Sequence, residues 1–178
     1  DQQQFDDALR KRQDAFNKKL EYTAVAYRFA GNKVEALHTY RRLLFSHASI
    51  MAETLDGQAS SSSIDDVFKR SDVKGMSTSV KAVLDLSVHE LGFDMDLHDQ
   101  QHSLTNWMTR DTQLLPSIRG AILEHALSLL EARSHLSNAA RAIANIQHAL
   151  LDIYAASDFP LRRARTLARR LDMDVLSH

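Results

Sequence analysis

Residues 1–55 contain no proline and only one glycine, Gly31. Within them Leu9, Phe16, Thr23, Ala30, Leu37, Leu44 and Met51 recur every seven residues. A second set, Leu20, Tyr27, Val34, Arg41, Ala48 and Leu55, repeats by seven from four residues after Phe16, and of these thirteen positions only Thr23 and Arg41 are not apolar. Alternating three- and four-residue steps hold one seam on one side of a slightly supercoiled helix. A continuous helix of about 50 residues is about 75 Å long, so the pattern predicts a rod or an arc. Gly31 is the main threat to its continuity, because glycine costs about 1 kcal/mol against alanine in a helix interior. Tyr22, Tyr27, Phe29, Tyr40 and Phe45 widen the apolar surface around the middle of this stretch, which suits packing against more than one neighbour.

Sparse punctuation continues through the chain: two prolines and five glycines in 178 residues favour long helices over strands. A hydrophobic content of 44% and a charged content of 25% are ordinary for a folded soluble domain. The formal net charge of −1 gives no long-range attraction to nucleic acid or anionic membrane, so such contacts need a local patch. The absence of cysteine excludes disulfides, thiolate metal sites and cysteine nucleophiles. No stretch approaches the roughly 20 apolar residues of a spanning helix, and the expected location is cytoplasmic, at most peripheral to a membrane. Because it begins with Asp1, the chain is read as a piece of a longer protein.

Asp56-Gly57 predicts the first stop, followed by a serine-rich loop over 58–63 and a restart near Ile64. The next helix carries Val67, Phe68, Val73, Met76, Val80, Val83, Leu84, Val88 and Leu91 with looser periodicity, and Gly92 is a place to kink or stop. Helix resumes over 93–115, with a kink or break between Asp111 and Pro116, since proline lacks an amide donor and disfavours helix before it. A strict pattern returns at Ile118, Ile122, His125, Leu129, Ala132, Leu136, Ala139, Ile143, Ile146, Leu150 and Ile153. Asp158 and Pro160 then mark a restart into a basic amphipathic segment over 161–176. The expected fold is all-α: an elongated bundle of three long, kinked antiparallel helices with a short C-terminal basic helix. It forms a single domain over 1–178, divided as a first helix (1–57), the loop, kinked helices (64–156) and a tail (157–178).

Polar clusters carry little chemistry. His98 and His102 share a helical face and suit zinc, with Asp94 or Asp99 as a third ligand, but the plainer reading is a solvated outer face. His98-Asp99 resembles the dyad of metal-dependent phosphohydrolases without their further ligands. Arg141 and His148 are loosely similar to the arginine-histidine motif of helical ribonucleases, with Ala142 where that family has a polar residue. The stretch 72–77 resembles a phosphotransfer motif, but Asp72 stands in place of the histidine. His125 reads as a core histidine bonded to a neighbour, and Arg41 as a side chain that snorkels or pairs with an acid. No catalysis, metal or cofactor is expected.

The tail is the most suggestive feature. Arg162, Arg163, Arg165, Arg169 and Arg170 face away from an apolar stripe and suit an anionic lipid surface or an acidic partner. Nucleic acid is not expected, because the tail has no tyrosine or tryptophan to stack on bases. Together with the basic residues Lys11, Arg12, Lys18, Lys19, Arg28, Lys33, Arg41 and Arg42, and the segment from Ser117 to Ile122 running on to Arg133, the long-helix pattern resembles the BAR superfamily, sorting-nexin type included. That resemblance implies a non-enzymatic homo- or heterodimer that binds curved anionic membrane. Two alternatives stay open: a ligand-sensing helical bundle of a bacterial receptor, and a protein-docking module without ligand. Arg165→Glu with Arg169→Glu is expected to abolish salt-sensitive liposome binding while helicity is retained; undiminished binding would remove the tail from the membrane contact.

Overall fold

The computed structural model describes residues 1–56, 74–92, 103–110, 113–114 and 116–156. Among these there are six α-helices and no strands, so the all-α expectation holds. They are α1 (Gln2–Phe29), α2 (Lys33–Asp56), α3 (Lys74–Leu84), α4 (Leu104–Arg110), α5 (Pro116–Ala132) and α6 (Ala139–Ala155). A π-helical turn, Asp85–Glu90, extends α3.

The expected continuous first helix is instead a hairpin. The amide of Asn32 donates to the Tyr27 carbonyl at 2.9 Å, and that of Gly31 to Arg28 at 3.1 Å. These bonds close a capping loop around Gly31, whose φ is +82°. Left-handed backbone at this position suits glycine, and the loop satisfies carbonyls that the end of α1 leaves open. The Asn32 carbonyl then accepts from Ala36 and starts α2. The returning helix lies antiparallel to α1, joined by a polar knot: Gln13 donates to Ser46 Oγ at 2.5 Å, and Ser46 donates to Asn17 Oδ1 at 2.7 Å.

The long pattern from Ile118 to Ile153 is likewise folded in two. The turn between α5 and α6 ends at Asn138, in left-handed conformation at φ 68°, whose side-chain amide donates to the Val88 carbonyl at 3.0 Å. The stop expected at Gly92 coincides with the end of the π-helical turn and its cap, and the break expected between Asp111 and Pro116 falls between the end of α4 and the start of α5; of the stop expected at Asp56-Gly57, Gly57 lies outside the described residues.

The helices stack in the order α1, α2, α3, α5, α6, with α4 packed on α5 and α6. α3 runs antiparallel to α2: Gly75 lies against His47, and Glu90 reaches Arg28 at 3.0 Å and Lys33 at 3.8 Å at the opposite end. Against α5, however, α3 runs parallel. Ser77 meets His125, Asp85 pairs with Arg133, and His89 Nδ1 lies 2.8 Å from the Ser137 carbonyl. All three pairs are separated by 48 residues. The chain between them, which includes α4, therefore returns to the starting end, and a simple antiparallel succession of arms does not describe this pair. Arg119 fastens α4 to α5 by donating to the carbonyls of Met108, Thr109 and Leu114.

One apolar core joins the stack, from Leu20 and Ala24 of α1, through Leu37, Leu44, Met76, Val80 and Ile122, to Ile146 and Leu150 of α6. Gly31→Ala is expected to lower unfolding stability by about 1–2 kcal/mol, the cost of a Cβ in left-handed backbone. Gly31→Asn is expected to cost less, and equal denaturation midpoints for alanine, asparagine and glycine would show that the turn does not depend on this residue.

Candidate interaction surface

Among the described residues α1 packs along α2, and its end reaches the π-helical turn through Arg28 and Glu90. Asn17, Leu20 and Ala24 are buried against the bundle, whereas residues 1–12 are exposed throughout. Of the large hydrophobic side chains exposed among the described residues, Phe5, Leu9, Phe16, Tyr22, Val25 and Phe29 all lie on α1, leaving only Val34 and Leu136 elsewhere. Steps of four and seven place Phe5, Leu9 and Phe16 on one face. Steps of three and four group Tyr22, Val25 and Phe29 farther along, with Phe29 92% exposed beside the hairpin turn. Clustering on one helix separates these residues from the single exposed apolar side chains that any surface carries.

The sequence seam divides accordingly. Leu37, Leu44, Ala48 and Leu20 are buried as a seam requires, but Leu9 and Phe16 remain 48% and 47% exposed, and Thr23 and Ala30 face outward. Tyr40 is buried, while Tyr27 and Phe45 pack partly against the core; Tyr22 and Phe29 do not. Phe5 escaped the seven-residue sets, although its position four before Leu9 marks the same face.

Polar side chains singled out in the sequence act as struts. Arg41 stacks over the Trp107 ring at 4.7 Å, a cation–π contact between α2 and α4 that the seam position alone did not suggest. His125 Nε2 lies 2.7 Å from Ser77 Oγ, the core role expected of it. Arg141 and His148 are exposed on α6. Arg162, Arg163, Arg165, Arg169 and Arg170, and the metal candidates Asp94, His98, Asp99 and His102, lie outside the described residues. Among the described residues no group of three or more potential ligands is placed to hold a metal ion, and no helix is long and apolar enough to cross a membrane.

Two imidazoles bracket the first turns of α3. His47 of α2 lies against the Gly75 backbone so closely that a Cβ there would fall 2.6 Å from Cε1. Burial pushes the His47 pKa down, with Glu21 and Asp14 of α1 pulling in the opposite direction. Burial also lowers His125. Burial raises the Tyr40 phenol, opposed by the neighbouring Arg28.

No family model matches the chain, and comparison with curated proteins and with solved structures finds no similar protein.

The histidine shifts have a sign. Between the lowered folded pKa and the ordinary value of 6.5, the unfolded chain binds more protons, so stability is complete above that window and falls as the pH drops through it. The urea midpoint is therefore expected to fall on acidification from about pH 7.5 to about pH 5.5, and the fall to shrink when His47→Gln and His125→Gln are combined. An identical fall in that variant would assign the effect to other groups.

Proposed function

We propose that this chain is a non-enzymatic helical interaction scaffold that docks a protein helix along the outer face of α1. The carrying observation is the concentration of exposed apolar side chains on a helix that, among the described residues, packs chiefly along α2. A helix laid beside Phe5, Leu9 and Phe16 would complete the packing that α2 begins, with anchors at i, i+4 and i+11 on one helical face.

As a second reading, we propose that the tail arginines Arg162, Arg163, Arg165, Arg169 and Arg170 engage an anionic membrane surface in a BAR-like manner, the basic amphipathic pattern of 161–176 being the observation that favours it.

Selection of helix-forming peptides against the intact chain tests the docking face. Selected peptides are expected to shield Phe5 and Phe16 from hydroxyl-radical labelling and to lose binding to Leu9→Asp with Phe16→Asp. Peptides that bind while leaving both rings fully reactive would move the docking face away from α1.

A further inference from the structure

We infer that the occupant of the α1 face is a second copy of this chain, its α1 lying antiparallel to the first; this rests on the docking role proposed for that face. The argument begins with the exposed seam Gln2, Phe5, Leu9, Arg12, Phe16 and Lys19, whose steps of three and four read the same in both directions. In an antiparallel pair of helices, facing layers bring together residues equidistant from the midpoint, here between Arg10 and Lys11. Phe5 then meets the partner's Phe16, and Phe16 the partner's Phe5. Leu9 lies under the aliphatic stem of the partner's Arg12, whose guanidinium extends to solvent.

The flanks agree with that alignment. α2 occupies the side of α1 marked by Gln13, Asn17 and Leu20. On the free side Ala8 and the partner's Ala15 are offset by two residues, about 3 Å along the axis, and small side chains on that flank let two backbones approach closely. Charge chooses the direction: Asp1 and Gln2 come beside the partner's Lys19, whereas a parallel pair would set Arg12 against Arg12 and Lys19 against Lys19. A surface whose seam layers match themselves on reversal is what a twofold contact between identical chains requires. The result is a four-helix layer of two α1–α2 hairpins, with the α1 helices at its centre.

The test uses the intact chain. Sedimentation across a wide concentration range is expected to show a monomer–dimer equilibrium. Leu9→Glu and Phe16→Glu are each expected to raise the dimer dissociation constant about 100-fold or more, since each would bury a charge in the contact, with helicity unchanged because both sites are surface positions. Orientation is read in the same background, which has no cysteine of its own. When Leu9→Cys and Arg12→Cys chains are mixed, a short bismaleimide is expected to join the unlike pair in preference to either like pair. A monomer at every concentration would overturn the inference while leaving α1 open to the peptide helices of the docking test. A dimer indifferent to Leu9→Glu and Phe16→Glu would place self-association elsewhere, and preferential coupling of two Leu9→Cys chains to each other would overturn the antiparallel arrangement.

Discussion

The amide of Asn32 reaches back over Gly31 to the carbonyl of Tyr27, and most of the architecture depends on that closure. It converts a rod of about 75 Å into two helices that share one contact. Folding back also sets the roles of the pair. α2 becomes an interior element, with α1 on one side and α3 on the other, while α1 becomes an outer wall. A continuous helix would have shared its apolar residues evenly along its length. The hairpin gives the burial to Leu37, Leu44 and Ala48, leaving Leu9 and Phe16 at the surface.

α3 is the opposite case. Met76, Val80, Val83 and Leu84 are almost wholly inaccessible, and the neighbours pressing on them come from both α2 and α5. A helix enclosed on two sides needs no single apolar stripe, which is why its sequence periodicity is looser than that of its neighbours. Its polar residues are correspondingly committed. Ser77, Asp85 and His89 form a column of contacts along α5 and the turn after it, and Glu90 ties the far end to the α1–α2 turn. The column fixes the parallel register between α3 and α5 without apolar shape having to do so alone. Ser87, within the π-helical turn, is the exception: its hydroxyl is buried with no hydrogen-bond partner among the described residues.

Helical class and several boundaries were legible in the sequence because backbone chemistry marks them. Proline cannot continue a helix, and the stops at Gly92 and Pro116 follow from residues with few conformational choices or unusual ones. The two reversals were not legible for a different reason. A seven-residue apolar repeat looks the same whether the helix runs on or folds back onto itself, since both arrangements need a seam. At the first reversal Gly31 was visible only as a weak point. The second has neither glycine nor proline, only Ser134, Ser137 and Asn138 among its turn-forming residues. The same ambiguity blurred the site: Leu9 and Phe16 stood out as seam positions, but which seam residues stay at the surface depends on the stacking order, which is set by contacts distant in sequence.

The contact between His47 and Gly75 fixes more than a distance. Helices packed through apolar ridges alone can settle at neighbouring registers one turn apart, because the ridges repeat. Here the ring occupies the one site on that face of α3 where no Cβ projects. Sliding α3 by a turn would bring Thr78 or Ser79 to the imidazole, and the ring would have to swing aside to admit the added Cβ. The pair therefore works as a detent: the register that sets the ring on Gly75 is the one that leaves it undisturbed, and the column of contacts to α5 is aligned with it.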